Sequence, residues 1–282
     1  MKKKIITIII VLIIGLIVGL IAYKLSPNSY SVNGMYLTNE RGEKIFVNLY
    51  KPNKKGKYPI VIYSHGLGAS YRACGDYANH LAKEGVASVC IDFRGGSNRS
   101  KSDGLTTEMS FLTEMEDVEF LIKEVKTWDF VDTDNIILMG SSQGGAVSAL
   151  VSSNHPDDIK GAVLLYPALS IPEAVRKWYN STDEIPDEVP MTTSITVGPK
   201  YFKDIWDMNV YDQIVKDEKK ILIIHGTEDP LVNISLSRKI NELYKNSELF
   251  EIEGAGHGFD DEYFDEAIVH VDDYLKDINV IK

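Results

Sequence analysis

The chain has 282 residues, 44% of them hydrophobic and 25% charged, and a formal net charge of −11. This length is enough for one large domain with a full core, or for two small ones, and the composition excludes extensive disorder. Outside residues 1–24, which hold four lysines and no acidic residue, there are 26 basic and 41 acidic residues. Such a surface repels phosphate backbones, so no nucleic-acid partner is expected.

The chain has only two cysteines, Cys74 and Cys90, which is too few for a disulfide-built scaffold. Cys90 lies in the apolar run "ASVCIDF" and is predicted to be a small core residue. No CxxC motif or Cys/His cluster is present, so neither a structural metal nor a cofactor is expected.

The amino terminus is strongly apolar. The lysines of "MKKK" precede "IITIIIVLIIGLIVGLIAY", an uncharged stretch from Ile5 to Tyr23. A helix of this length, at about 1.5 Å per residue, nearly spans a hydrocarbon core of about 30 Å. Because lysines precede the stretch and only Lys24 follows closely, the positive-inside rule predicts a cytoplasmic amino terminus and an exported remainder. We therefore predict a membrane anchor over 1–24 and a linker over 25–29. The alternative is a cleaved signal segment and a secreted protein.

Apolar runs alternate with amphipathic segments beyond the linker. Strands are predicted near 30–37, 44–50, 58–66, 85–93, 135–140, 161–167, 219–226 and 247–252. Helices are predicted near 72–85, 110–127, 144–153, 234–244 and 261–276, the second of them capped by Ser110. Most of the strands are continuously apolar and separated by helices, which indicates parallel strands buried on both faces. We predict an α/β domain over residues 30–282, with a mostly parallel eight-stranded sheet and helices on both faces.

Residues 168–215 interrupt this alternation of strands and helices. The segment contains four prolines and two of the three tryptophans in the chain. So long an insertion in a compact domain is usually a lid or a binding element, and we predict a cap. Its aromatic side chains either line a substrate pocket or pack the small core of the cap itself, and both interpretations stay open. These residues are Trp178, Tyr179, Tyr201, Phe202 and Trp206.

The motif Gly140-x-Ser142-x-Gly144, in "GSSQGG", lies between a predicted strand and a predicted helix. That is the setting of a nucleophile elbow, a strained turn that exposes a serine hydroxyl at the edge of the sheet. Glycines at both outer positions avoid collisions with neighbouring backbone. A glycine-rich turn without catalytic function would show the same pattern, so the motif needs partners elsewhere in the chain.

A serine nucleophile requires a base, and the base requires an acid to orient it. His257, in the flexible loop "GAGHGF", is the preferred base, because His270 lies within the closing helix. Asp229 is the preferred acid, since "HGTEDPLV" follows a predicted strand and Pro230 stiffens the loop. Glu228 competes with it there. Asp260 is a third candidate, although it follows the histidine in the chain.

Two backbone N–H groups are needed to bind the oxyanion of an acyl-transfer reaction. Gln143, the residue after the serine, supplies the first donor by geometry. The turn "SHGLG" after the third strand supplies the second, which we assign to Leu67. His65 in the same turn is predicted to brace the loop by a side-chain hydrogen bond.

Over residues 30–277 the chain resembles the α/β-hydrolase superfamily, and within it the bacterial cinnamoyl (feruloyl) esterase-like branch. The matching stretches are "HGLG", "DFRG", "SDG", "MSFLTEMEDVEFLI", "GSSQGG", "LLYPA", "IPDEVP", "VGPKYFKD", "IIHGTEDPLV" and "NSELFEIEGAGHGF". The resemblance implies an α/β-hydrolase fold with an inserted cap. It also implies hydrolysis of carboxylic esters through an acyl-enzyme, with aryl or cinnamoyl-type esters as the candidate substrates.

Three features depart from that branch. Ser141 stands where the branch usually has histidine in GHSQGG, and "GGSNRSK" (95–101) replaces a shorter "GHG". Members of the branch are commonly soluble, whereas an anchor is predicted here. The alternative functions are a monoacylglycerol lipase, an acyltransferase or a peptidase with the same triad, and, more remotely, a non-catalytic binding module.

Overall fold

The computed structural model describes residues 9–10, 12–16 and 29–282. The predicted membrane-spanning stretch and linker lie mostly outside the described residues. Within the part of the chain that is described, no helix combines the length and the apolar character needed to cross a bilayer.

Eight strands form the main sheet, in the order β1-β2-β4-β3-β5-β6-β9-β10. β1 and β2 pair antiparallel at one edge, and β2 also pairs antiparallel with β4. From β4 to β10 all neighbours are parallel. The predicted mostly parallel eight-stranded sheet is therefore confirmed. Its strands are β1 (Tyr30–Thr38), β2 (Lys44–Pro52), β3 (Tyr58–Ser64), β4 (Ala87–Asp92), β5 (Val131–Ser141), β6 (Gly161–Leu165), β9 (Ile221–Gly226) and β10 (Ser247–Ile252).

Helices cover both faces of this sheet, and each face has its own apolar core. One core includes residues of α2 (Phe111–Val125), α3 (Gln143–Asn154) and α7 (Ser235–Leu243). The opposite core includes α1 (Gly75–Lys83) and the closing helix α8 (Asp261–Asp277). Fully buried apolar strands between these layers explain why strands β4, β6 and β9 show no polar alternation.

Helix α2 begins where the sequence predicts, at a capping box. The Ser110 hydroxyl accepts a hydrogen bond from the Thr113 N–H at 3.3 Å, and the Thr113 hydroxyl accepts one from the Ser110 N–H at 2.9 Å. Two of the four orphan N–H groups of the first turn are thus satisfied, which fixes the start of the helix.

The insertion between β6 and β9 contains three short helices and a separate antiparallel pair of strands, β7 and β8. Its buried apolar side chains join the core on the α2 and α3 side of the sheet. Residues of the insertion also line one cavity together with Ser142, the predicted nucleophile that follows β5, so the insertion lies at the carboxyl ends of the parallel strands. Its elements are α4 (Ile171–Trp178), β7 (Val189–Thr192), β8 (Ile195–Val197), α5 (Pro199–Lys203) and α6 (Val210–Ile214).

The two cysteines form a disulfide, Cys74–Cys90, with their Cα atoms 6.0 Å apart. Cys90 is fully buried, as expected for a core position on β4, but it is not a simple packing residue. The short 3₁₀ helix Tyr71–Cys74 places Cys74 directly against β4. The bond therefore ties the loop that follows β3 to the centre of the sheet, and sequence spacing alone does not reveal this proximity.

We predict that replacing both cysteines with alanine lowers the free energy of unfolding by about 3 kcal/mol, as expected for closing a loop of this length. Urea denaturation of the oxidised protein and of the double variant measures the difference. In the presence of a strong reductant the two proteins should have nearly equal stability. Equal stability under oxidising conditions would contradict the prediction.

Candidate active site

Ser142 lies at a sharp turn between β5 and α3, and its backbone has φ 54° and ψ −120°. A positive φ is strained for a residue with a Cβ, and such strain persists only where the surroundings enforce it. Here the Ser142 N–H donates to the Leu165 carbonyl at 2.9 Å, and the Ser142 carbonyl accepts from the Ala168 N–H at 2.9 Å. The connection after β6 thus holds the turn from one side.

Close backbone packing explains the glycines around the serine. A methyl group on Gly144 would lie 2.1 Å from the Ser64 carbonyl oxygen, and one on Gly140 would lie 2.2 Å from the Gly144 carbonyl oxygen. Both distances are far inside van der Waals contact. The pattern in the sequence therefore reflects a true elbow, in which only glycine fits at either outer position.

The structure brings Asp229 and His257 together. The His257 Nδ1 lies 2.7 Å from Asp229 Oδ2, and the carboxylate is fully buried. Asp229 Oδ1 accepts from the N–H groups of Leu231 and Val232 at 2.8 and 2.9 Å. Burial opposes ionisation, but hydrogen bonds from Val232, His257 and Leu231 outweigh it, so the pKa of Asp229 lies below its ordinary value. An ionised acid can orient the imidazole and stabilise its protonated form.

His225, at the end of β9, is a second histidine on Asp229, and the sequence analysis missed it. Its Nε2 lies 3.1 Å from Asp229 Oδ2 and 2.9 Å from the Val232 carbonyl. Burial is the main cause that lowers its pKa, so the ring is neutral. Two acceptors face Nε2, which must therefore carry the proton, while Nδ1 accepts from the Ser237 hydroxyl at 2.6 Å. The four-residue spacing in "HGTED" is the only signal of this contact in the sequence.

The competing residues lie elsewhere. Glu228 and Asp260 are exposed. His270 stacks on Phe250, with ring centroids 3.8 Å apart. The arrangement around the cavity therefore involves the preferred acid and base rather than their competitors.

The loop after β3 approaches the serine from the other side. Gly66 is so close that an added methyl group would lie 3.2 Å from the Ser142 Cβ. His65 braces this loop: its Nδ1 donates to the Gly66 carbonyl at 2.8 Å, and its Nε2 accepts from the Phe93 N–H at 3.3 Å. Leu67 and Gln143, the predicted oxyanion donors, both border the same cavity as Ser142.

That cavity has a volume of about 540 Å³ and contains Ser142 and His257 in its wall. Its surface is mainly apolar, which is typical of sites that bind small organic molecules. Two exposed apolar side chains, Leu231 and Trp178, stand in its wall. The other lining residues are Gly66, Leu67, Ala69, Ala73, Ser141, Gln143, Tyr166, Ala168, Ser170, Ile171, Ala174, Met191, Thr192, Tyr201 and Val232.

The five cap aromatics divide into two groups. Trp178 and Tyr201 line the cavity. Phe202 is fully buried and contacts the rings of Trp178, Tyr179 and Tyr201. Trp206 and Tyr179 pack against the main core from outside the cavity lining. Both interpretations of these side chains therefore apply, each to different residues.

Tyr166 is a further residue of the wall that the motifs do not indicate. Its backbone has φ 36°, which is strained for a bulky residue, and its ring meets the His257 ring edge-to-face at 4.7 Å. Burial, opposed by a hydrogen bond with Ser141, raises the pKa of Tyr166 to about 12. Ser141, which departs from the family pattern, thus lies beside a neutral phenol that also restrains the imidazole.

The order of strands, the elbow after β5 and the acid and histidine after β9 and β10 define the chain as an α/β-hydrolase. The protein family described as "Serine aminopeptidase, S33" matches residues 57–201, about half of the chain. A second family, described as "TAP-like protein", matches residues 205–280. The chain belongs to the first of these families.

Known proteins similar to the chain are mostly hydrolases. Est1E from Butyrivibrio proteoclasticus, solved with ferulic acid bound, aligns with a TM-score of 0.79 and 28% identity, covering 86% of this chain and 98% of that one. This likeness confirms the resemblance to the cinnamoyl esterase-like branch. Protein phosphatase methylesterase 1 of Candida albicans is 35% identical over 46% of this chain and 34% of its own length. Mouse monoglyceride lipase is 30% identical over 49% of this chain and 45% of its own length. The chain thus spans less than half of either curated relative.

A pH-dependent stability follows from the burial of His65. Burial lowers the pKa of His65 from 6.5 to about 4, despite the hydrogen bond to Gly66. Between these values the unfolded chain binds a proton that the folded protein does not, so the free energy of unfolding falls as the pH falls. We predict a loss of about 3 kcal/mol from this residue by pH 4. Denaturation at pH 7 and pH 4 should show a smaller loss for His65→Gln than for wild type, and equal losses would contradict the assignment.

Proposed function

We propose that the protein is a serine esterase that cleaves carboxylic esters through an acyl-enzyme. The observation that carries the proposal is the convergence of three separate segments on one cavity. The strained Ser142 and the His257 ring both face it, and His257 is hydrogen-bonded to the buried, ionised Asp229. Membership of the family and the similarity to Est1E support the same chemistry.

In the proposed cycle, Ser142 attacks the ester carbonyl while His257 accepts the hydroxyl proton. Asp229 orients the imidazole and stabilises its charged form, and His225 and two backbone N–H groups hold Asp229 in place. The N–H groups of Leu67 and Gln143 bind the oxyanion of the tetrahedral intermediate. His257 then protonates the leaving alcohol. Water, activated by the same base, releases the acid from the serine.

The cavity favours an ester with a compact apolar or aromatic group. Its mainly apolar wall includes the aromatic side chains of Trp178, Tyr166 and Tyr201. Contacts between these rings and an aryl group of the substrate would stabilise the complex by more than the burial of apolar surface alone. A cinnamoyl-type acyl group fits this chemistry, and the ferulic acid found in Est1E is of that type.

A monoacylglycerol is the second candidate substrate. Leu231 and Trp178 of the cavity wall are 74% and 55% exposed, and such side chains are suited to holding an acyl chain that extends beyond the cavity. The similarity to mouse monoglyceride lipase points in the same direction.

Replacement of Ser142 tests the chemistry. We expect Ser142→Ala to lower kcat for a short p-nitrophenyl ester by about 10⁶-fold and to abolish labelling by a fluorophosphonate probe. Asp229→Asn should cost about 10⁴-fold, because the histidine loses its orienting anion. Glu228→Gln, an exposed neighbour of Asp229, is the matched control and should keep wild-type activity. Full activity in Ser142→Ala would refute the proposal.

The same assay distinguishes the two substrate classes. Methyl ferulate, short p-nitrophenyl esters and monoacylglycerols of increasing chain length are compared by kcat/KM. A preference for the aryl acyl group supports the first candidate. A rise with chain length supports the second.

We further propose that the apolar amino-terminal stretch anchors the protein, with the catalytic domain outside the cell. The two cysteines of the chain form a disulfide, and disulfides persist mainly in oxidising compartments such as the outside of the cell. β1 begins at Tyr30, which pairs with Pro52. Because β2 runs antiparallel to β4, this pair lies at the amino-terminal ends of the parallel strands, opposite the elbow. The tether would therefore leave the domain on the side away from the cavity, which would face the aqueous phase.

We expect the full chain to stay in the membrane fraction after alkaline carbonate extraction and to be digested by protease added to intact cells. A chain that begins at residue 30, fused to a cleavable export signal, is the control and should be released in soluble form. Protection of the full chain from the protease would contradict the predicted orientation.

A further inference from the structure

Three buried polar side chains form a hydrogen-bonded chain beneath the elbow. Gln143 Nε2 donates to Glu114 Oε2 at 2.9 Å, and the Tyr201 hydroxyl donates to Gln143 Oε1 at 2.7 Å. None of the three is more than 1% exposed. They come from separate segments: α2, the first residue of α3, and helix α5 of the cap.

Burial of the Glu114 carboxyl costs folding free energy. Its Oε1 atom has no hydrogen-bond partner among the described residues. Burial is the main cause that raises its pKa from 4.5 to about 8, and the negative charge of Asp117 adds to this, whereas the hydrogen bond from Gln143 opposes it. A buried polar group of this kind usually lowers stability relative to an apolar side chain of similar size. Its position beside Gln143 therefore indicates a role in the site.

Nearby charges do not neutralise Glu114. Asp117, one turn further along α2, pairs with Arg94 at 2.5 Å, and no ion pair of Glu114 itself occurs among the described residues. From the cap, the facing group is the Tyr201 phenol, whose pKa is raised far above its ordinary value, mainly by burial. From α3, the facing group is the uncharged Gln143 amide. At neutral pH the whole chain of side chains is thus uncharged.

Gln143 is also the residue whose backbone N–H is assigned to the oxyanion. Its side chain is held at both ends, so the backbone just after the serine cannot rotate without breaking a buried hydrogen bond. A second contact joins the same elements, because the Ser110 hydroxyl at the start of α2 lies 2.6 Å from Asp204 Oδ2, just after α5. The cap is therefore linked to the first residue of α3 through α2 and directly through Tyr201.

We propose that Glu114 and Tyr201 are positioning residues that aim the Gln143 N–H at the oxyanion, and that they couple the seating of the cap to the oxyanion hole. This inference rests on the proposed esterase function. It requires Glu114 to be uncharged during turnover, because a carboxylate at this place would repel the developing oxyanion across a region that excludes water.

The first experiment is a pH profile of kcat for a p-nitrophenyl ester, corrected for spontaneous hydrolysis. Wild-type kcat should fall as the pH is raised through about 8, where Glu114 ionises. Glu114→Gln keeps an oxygen that accepts from Gln143 but cannot ionise, so its kcat should stay level over that range. Glu119→Gln, on the same helix, is the matched control and should keep the wild-type profile.

The second experiment removes the cap's hydrogen bond. Tyr201→Phe should lower kcat about tenfold with little change in KM, since the ring still lines the cavity while the donor to Gln143 is lost; complete loss of an oxyanion donor would cost 10²–10³. Tyr244→Phe is the matched control, because Tyr244 is also buried and its hydroxyl has no partner among the described residues. Thermal unfolding confirms that each variant is folded.

The outcomes separate the two proposals. If Ser142→Ala is inactive while Tyr201→Phe keeps wild-type kcat, or while Glu114→Gln still loses activity above pH 8, the coupling is refuted and the esterase stands. If Ser142→Ala remains active, the esterase proposal fails. Equal falls in kcat for Tyr201→Phe and Tyr244→Phe would assign the effect to general destabilisation and would also refute the coupling.

Discussion

The site depends on one strained turn. Ser142 adopts a positive φ because the backbone of β5, α3 and the loop after β3 meet there with no room for side chains at Gly140 or Gly144. The free-energy cost of this strained conformation is offset by the large apolar cores on both faces of the sheet. As a result, Ser142 and Gln143, the first residue of α3, both lie in the wall of the cavity.

Asp229 is the second fixed point. It collects four hydrogen-bond donors, two from backbone and two from histidines, inside a fully buried environment. The arrangement keeps the carboxylate ionised despite its burial. His225 and His257 share one oxygen but have different chemical roles: the first is buried and neutral, whereas the second reaches the cavity. Only His257 of the two therefore lies in the cavity wall, held by a buried carboxylate.

The cap contributes more than a lid of aromatic rings. Tyr201 both lines the cavity and donates to Gln143, so one side chain borders the cavity and also contacts the residue that follows Ser142. Phe202, by contrast, holds the cap together through its ring contacts. Tyr201 and Phe202 are adjacent in sequence but have different contacts, because successive side chains on helix α5 point in directions about 100° apart.

Much of this architecture could be predicted from the sequence. Continuous apolar strands separated by amphipathic helices determined a parallel sheet with two covered faces, since local periodicity directly reflects burial. Gly140-x-Ser142-x-Gly144 indicated the elbow because a steric constraint on backbone leaves a local signature. The loop position of His257 favoured it over His270, and the structure pairs His257 with Asp229 as expected, although its catalytic role stays a proposal.

The remaining features depend on contacts between distant segments, which leave no periodic pattern. Cys74 meets Cys90 only because a 3₁₀ turn folds back over β4. His225 meets Asp229, and Glu114 meets Gln143 and Tyr201, only once strands and helices are stacked. The sequence by itself determined the elements, their order and the residues able to do chemistry, because these depend on local sterics and hydrophobicity. Tertiary structure alone decided which polar groups share a buried site, because burial and distance arise only when the chain is packed.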